Sequence, residues 1–237
     1  MPEWEKEPAL TVLEWPVGSL LGRMRRRDRD ALLRLGVPVS FPARQVMLRQ
    51  GDRGEHALLL LSGYVKVFVG TRQGREVLVA VRGPGDLLGE MAVLEDRHRC
   101  ANTVAGTLVA ARLVGGAELR EFLGRNAEAC LSVARTVSER LRSAEKSRVD
   151  FVATPAPTRV AQVLIETAQR FGRRTPAGWD LGVPLTRAEV ASLAGTALST
   201  VEKAFHAMQN EGLLRLRYRR IVVRDLTELR RFGENPY

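Results

Sequence analysis

The segment "LTRAEVASLAGTALSTVEKAFHAMQNEGLL", residues 185–214, restricts the fold more than any other stretch. Thr186 is placed to cap a short helix that carries Val190, Leu193 and Ala194. Gly195 follows where a tight turn needs a positive φ, which a Cβ opposes. A second helix starts near Leu198, with Val201, Phe205 and Met208 spaced to face inward. Two short helices across a glycine turn make a helix-turn-helix. "LLRLRYRRIVVRD" then reads as strand, basic tip and strand, which adds a wing. Such a unit lays the N-terminal residues of its second helix on base edges in the major groove of DNA.

The outward positions of that second helix are Ser199, Thr200, Glu202, Lys203 and His206. Glu202 can accept from cytosine N4, and Lys203 can reach guanine O6 and N7 or a phosphate. His206 reads as a solvated helix residue or a DNA contact. Arg217, Arg219 and Arg220 at the wing tip suit phosphates, supplying affinity and salt dependence rather than sequence choice. A formal net charge of +10 agrees with a polyanionic partner without requiring one. Upstream, "TPAPT" (154–158) marks a boundary, with Thr154 as a cap and Pro155 at the first helical position. The next helix runs to Gly172, and "RRTPAGWDLGV" is expected to be a loop entering a strand near residues 181–184.

The rest of the chain has a different texture. Residues 17–36 read as one helix, with Leu20, Leu21, Met24, Leu32 and Leu35 on a face and Gly36 as its stop. The arginines of "RMRRRDRD" read either as the solvated side of that helix, the commoner case for alternating charge, or as a nucleic-acid patch. From Val37 to about Leu113, short β-rich runs alternate with glycine turns, which indicates a compact antiparallel barrel or sandwich. A short helix is expected over 117–126 and a long one over 127–152. The long helix has a narrow stripe of Cys130, Val133, Ala134, Val137, Leu141, Ala144 and Phe151 at heptad-like spacing. A stripe of that kind forms either a coiled-coil dimer or packing against the helix's own domain.

Within the β region lies "GEMAVLEDRHRCAN", 89–102. Glu90 and Arg99 can face each other across a tight loop, either as an ion pair or with something held between them. At this point the chain resembles the Crp/Fnr superfamily of bacterial transcription regulators, relatives of the cyclic AMP receptor protein, over roughly Val37 to Phe232. The resemblance implies an α+β chain in three parts. An effector-sensing β-roll of the cyclic-nucleotide-binding type, with an N-terminal helix, occupies 1–126. A dimerisation helix and hinge follow over 127–153, and a winged helix-turn-helix domain over 154–237.

The family's phosphate-binding cassette is matched by Gly89, Glu90, Met91, Ala92 and Arg99. It implies that Arg99 takes a cyclic phosphate and Glu90 a ribose hydroxyl, chemistry that suits a guanidinium fork and a carboxylate. Cys100 replaces the family's hydroxyl donor, and a thiol donates weakly. Arg140 matches a basic residue of the cyclic AMP binders. Ala144 and Glu145 fall where the family reads the base, and Ala144 has no group to do so. The resemblance also implies that Thr186 and Arg187 contact phosphate. Of the family's base-reading set only Thr200 is kept, beside Leu198, Ser199 and Lys203, so its TGTGA-type half-site is not carried over.

The expected function is therefore a homodimeric regulator of palindromic double-stranded DNA sites, gated by a small effector in the β-roll, a cyclic nucleotide (cyclic AMP or cyclic GMP) or a relative, and acting with RNA polymerase. The alternatives are an effector-independent regulator with an empty roll, or a ligand-sensing module with weak DNA binding. Cys100 and Cys130 fit neither a disulfide framework nor a metal site, and no N-terminal cysteine cluster for iron–sulfur exists. No metal or haem is expected, and no Ser/His/Asp set or P-loop suggests an enzyme. The N-terminus lacks a secretory h-region and no run spans a membrane, so a cytoplasmic protein is expected.

Overall fold

The structure is a computed structural model that describes residues 15–217 and 220–234. Two short helices, α1 (Leu20–Arg23) and α2 (Arg26–Arg34), replace the single helix expected over 17–36. Met24 and Arg25 are extended between them. The apolar spacing was compatible with a straight helix, and tertiary contacts impose the break. Arg23 pairs with Glu139 and Arg25 lies 3.4 Å from Glu128, so the bend is tied at two points to one long helix. Gly36 ends the segment at φ 63°, as expected.

Eight strands then form the roll: β1 (Val37–Phe41), β2 (Val46–Leu48), β3 (His56–Ser62), β4 (Val65–Gly70), β5 (Glu76–Arg82), β6 (Leu87–Leu88), β7 (Asn102–Ala105) and β8 (Val109–Gly115). They make two antiparallel four-stranded sheets, ordered β1-β8-β3-β6 and β2-β7-β4-β5. The run "ALLLL" in β3 is continuously apolar because both of its faces are buried. Leu58 and Leu60 point into the roll with Leu48, Val65 and Ala105. Ala57 and Leu59 point the other way, onto Leu20, Leu32, Leu119, Phe122 and Val133 of the helices. One strand thus joins the roll interior to the helical layer. Between β6 and β7 the cassette forms a one-and-a-half-turn helix, α3 (Glu90–Glu95), where only a loop was expected.

Helix α4 (Gly116–Arg125) leads into α5 (Ala127–Ala153), close to the expected bounds. Ala129, Ser132, Val133 and Thr136 of α5 are buried against its own domain. Cys130, Ala134, Leu141 and Ala144 are exposed. The stripe is therefore split, since Val133 packs inward while most of the remainder faces away.

Helix α6 (Ala156–Phe171) begins without a side-chain cap, so Thr154 is not the cap expected of it. Pro155 occupies the cap position, and the Thr154 carbonyl instead accepts from Arg159 Nη1. Residues expected as a loop form a hairpin, β9 (Arg173–Thr175) and β10 (Gly178–Asp180). The strand expected over 181–184 is absent, because the chain turns there. Gly182 has φ 72° and its N–H donates to Asp180 Oδ1 at 3.0 Å, and Pro184 offers no N–H to a ladder. Leu181 and Val183 are nevertheless buried. Helices α7 (Arg187–Ala194) and α8 (Leu198–Asn210), strands β11 (Leu214–Arg217) and β12 (Arg220–Val223), and α9 (Leu226–Glu234) complete the winged unit, whose sheet runs β11-β12-β10-β9.

The roll and the winged unit share one apolar cluster. Leu78 and Val81 of β5 pack with Val160, Leu164 and Phe205. Tyr64 meets Phe171 edge-on, with ring centroids 5.4 Å apart. Two ion pairs flank this seam. Lys66 Nζ lies 2.6 Å from Glu189 Oε1, and Arg170 Nη2 lies 2.9 Å from Asp86 Oδ2. Glu189 is also the partner of Thr186 in a capping box, so one carboxylate serves α7 and the seam together. A double-mutant cycle of Lys66→Met and Glu189→Gln, followed by urea unfolding, is expected to show a coupling of about 1 kcal/mol, since both side chains are largely shielded. A coupling near zero would show that the pair does not hold the seam.

Candidate effector site and DNA-reading surface

The cassette is shaped by Gly89, which has φ 76° and caps α3. A Cβ there would collide with the Arg99 guanidinium and come within 3.0 Å of Leu48 Cδ1, so only glycine lets the arginine lie against the backbone. Gly54 plays the same part for Ala92, whose backbone and Cβ fill the space a side chain would need. Glu90 and Arg99 are 4% and 5% exposed. They do not pair with each other, which corrects one of the two readings of this loop. Glu90 Oε1 pairs instead with Arg140 Nη1 of α5, and Arg140 Nη2 donates to the Leu87 carbonyl at 3.0 Å.

Arg99 donates from Nη2 to the His56 carbonyl at 2.7 Å and from Nη1 to the Gly89 carbonyl at 3.4 Å. Among the described residues no carboxylate lies within ion-pair distance of it. Burial pushes its guanidinium below the ordinary arginine range, although Asp52 and Glu90 oppose the shift. Burial, then the neighbouring Arg99 charge, holds His56 below the usual imidazole value. Arg82 is pushed down to about 10 by burial and then by Arg140, and remains a cation at neutral pH. The cassette is thus a buried, net cationic site with a carboxylate at its α5 side. Its residues fit a phosphodiester beside a sugar hydroxyl, because the buried guanidinium is bonded only to neutral carbonyls.

Of the residues singled out in the sequence, Gly89, Glu90, Ala92, Arg99 and Arg140 come together here. Met91, Cys100, Ala144 and Glu145 are exposed. Ala144 and Glu145 lie one turn beyond Arg140, on the part of α5 that the chain's own roll leaves uncovered.

Sequence reasoning missed the residues that link this site to the winged unit. Arg159 is a buried hub. Its Nε donates to the Ala194 carbonyl at 2.8 Å and its Nη2 to the Gly195 carbonyl at 3.0 Å. Its guanidinium lies 5.7 Å from the Phe151 ring centroid, and that ring occupies the space a Cβ on Gly195 would need. The last turns of α5 therefore rest on the turn of the helix-turn-helix. Asp86, three residues before the cassette, is 3% exposed and holds Arg170 of α6. No local motif signalled these roles, because each partner is distant in sequence.

On the DNA-reading side the expectations hold closely. Thr186 Oγ1 accepts from the Glu189 N–H at 3.2 Å, and Gly195 has φ 57°. Val201, Phe205 and Met208 are buried, and Ser199, Glu202, Lys203 and His206 are exposed. Thr200 is half-buried. Glu202 sits 4.0 Å from Arg187, so an acid proposed for base reading neighbours a base proposed for phosphate. Arg217 and Arg220 are exposed on the wing strands, and Arg220 lies 3.5 Å from Asp180. Arg219 falls outside the described residues. A cleft of about 610 Å3 between roll and winged unit is lined by Lys66, Phe68, Arg187, Phe205 and Arg217, away from the cassette.

Comparison with known proteins matches both the roll and the winged unit. Residues 38–126 match the cyclic nucleotide-binding domain, and residues 158–232 match the Crp-like helix-turn-helix domain. The chain is 30% identical over 194 residues to the CRP-like cAMP-activated global transcriptional regulator of Mycobacterium tuberculosis, covering 82% of this chain and 87% of that one. It is 29% identical to the cyclic AMP receptor protein of Thermus thermophilus, over 74% of this chain and 78% of the relative. In three dimensions it resembles FixK2 of Bradyrhizobium japonicum, with a TM-score of 0.71 and 23% identity over 83% of this chain and 96% of that one. The order of roll, long helix and winged unit, shared over most of the length of these regulators, shows that the chain belongs to the Crp/Fnr family of transcription regulators.

Proposed function

We propose that this regulator is a homodimer that reads palindromic duplex DNA and is gated by a 3′,5′-cyclic nucleotide held at the cassette. The observation that carries the gating is Arg99, a buried guanidinium that among the described residues has no carboxylate in ion-pair contact. A buried cation of this kind is costly until an anion meets it, and the planar fork matches a phosphodiester. The names of the relatives given above, which include cAMP-activated regulators, point the same way. Glu90 would take the ribose hydroxyl in exchange for, or together with, Arg140. Because Arg140 lies on α5, any rearrangement of Glu90 is felt by the long helix. The ligand shifts the balance between two arrangements only by its differential affinity for them.

Dimerisation is supported by the uncovered face of α5, where Leu131, Leu141 and Val149 are exposed. Pairing two such helices sets the recognition helices one DNA turn apart. Gly89, Glu90, Ala92, Arg99 and Arg140 form the proposed effector site, with Ala144 and Glu145 facing the partner. Thr186, Arg187, Ser199, Thr200, Glu202, Lys203, Arg217 and Arg220 form the proposed DNA surface. The chain acts by binding rather than catalysis, in the cytoplasm, and hands its signal to RNA polymerase. Among the described residues no helix is long and apolar enough to cross a membrane.

Three outcomes are expected. In calorimetry, the purified protein binds cyclic AMP or cyclic GMP, and Arg99→Ala weakens that binding by about 10- to 100-fold, the worth of a charge-assisted hydrogen bond. Binding of neither nucleotide would overturn the gating. Leu141→Glu places a charge in the α5 seam, so sedimentation should show a monomer and gel shifts a loss of operator binding. A dimer that survives the change would place the interface elsewhere. Arg217→Ala should weaken all DNA sequences alike and lower the slope of log K against log salt by about 1. A change confined to one base position would instead make Arg217 a base reader.

A further inference from the structure

Among the described residues, the Thr103 hydroxyl has no hydrogen-bond partner. The residue is 5% exposed. An unmade hydrogen bond at a buried hydroxyl is costly, and few native groups are left in that condition. The residue sits on β7 directly opposite Val67 of β4, and its partner on β2, across a register shift, is Leu48. Residues directly opposite in an antiparallel pair point to the same face of the sheet. Two positions on, Ala105 lies on that face too and belongs to the roll interior with Leu48, Leu58 and Val65. Leu48 in turn borders Gly89, on the side where the Arg99 guanidinium lies. The orphan hydroxyl therefore projects into the apolar interior of the roll, beside the cassette.

The chemistry of the site leaves one role for it. Arg99 answers an anion, and Glu90 a sugar hydroxyl. The interior next to them is aliphatic, which suits the faces of a flat ring but not its polar edge. Cys100 and Ala144 are exposed and offer no strong donor from this chain. A threonine hydroxyl both donates and accepts, so it can meet either the exocyclic amino N–H or the exocyclic carbonyl on the edge of a purine base. We infer that Thr103 reads the base: its hydroxyl hydrogen-bonds the edge of the purine of a 3′,5′-cyclic nucleotide held by Arg99 and Glu90. The inference rests on the cyclic-nucleotide reading of the cassette and adds to it the residue that selects among nucleotides.

Thr103→Val keeps the shape and removes the hydroxyl, while Thr103→Ser keeps the hydroxyl. Both are compared with the unaltered protein by calorimetry against cyclic AMP, cyclic GMP and the cyclic monophosphate of unsubstituted purine riboside, and by thermal unfolding without ligand. Thr103→Val should weaken the preferred nucleotide about tenfold and leave the unsubstituted purine analogue unchanged. Thr103→Ser should stay within about threefold of the original affinity, since the hydrogen bond is what is being measured. Without ligand, Thr103→Val should melt about 2–4 °C higher, because an unsatisfied buried hydroxyl is gone. Equal binding by Thr103→Val and the unaltered protein overturns the inference and leaves the cassette reading intact. Equal weakening for all three ligands, with a lower melting point, makes Thr103 structural and also overturns it. An unaltered protein that binds none of the three removes both readings.

Discussion

The ion pair between Glu90 and Arg140 joins the two halves of this molecule's logic. Both partners are largely shielded from water, so neither charge is easily left alone. One belongs to the cassette inside the roll and the other to the long helix. Any group that competes for the Glu90 carboxylate must also move or re-pair a residue of α5. The cassette is thus joined by a direct ion pair to a 27-residue helix.

From α5 the physical path to DNA is short. Phe151, near the end of the helix, packs on Gly195, the turn between the two reading helices. Arg159 bonds the carbonyls of Ala194 and Gly195 and also that of Thr154 at the hinge. These contacts hold the hinge and the turn as one piece. A second path runs outside the helix, through Asp86 to Arg170 and through Lys66 to Glu189. Asp86 is separated from Glu90 by only three residues, so the roll grips the winged unit close to where it would grip an effector. Both paths are chains of direct contacts.

The loop "GEMAVLEDRHRCAN" shows how burial changes a reading. Sequence alone leaves Glu90 and Arg99 as candidates for a mutual ion pair. In the fold each is buried, but the acid is satisfied by Arg140 and the arginine by carbonyls. The difference matters chemically, because an arginine paired to its own carboxylate has no reason to bind phosphate. Among the described residues the buried hydroxyl of Thr103 is likewise left without a partner.

Local rules decided a large part of this protein. The capping box at Thr186 and Glu189, the left-handed Gly195 and the inward spacing of Val201, Phe205 and Met208 were legible because each depends on neighbours within a few residues. Turn-separated apolar runs likewise indicated the antiparallel roll. Other features were not legible, since their causes lie far away in the chain. The break at Met24 and Arg25 follows from contacts with α5, which no local breaker announces. The loss of a strand at 181–184 follows from a turn that the preceding hairpin requires. Arg170 looks like a surface residue of its helix until Asp86 is brought to it from 84 residues away, and Arg140, singled out only by resemblance, gains its partner Glu90 from 50 residues away. Sequence determined the parts and their chemistry. The tertiary structure decided which charges meet and which are left wanting a partner, because burial makes a missing partner costly and only packing decides what is buried.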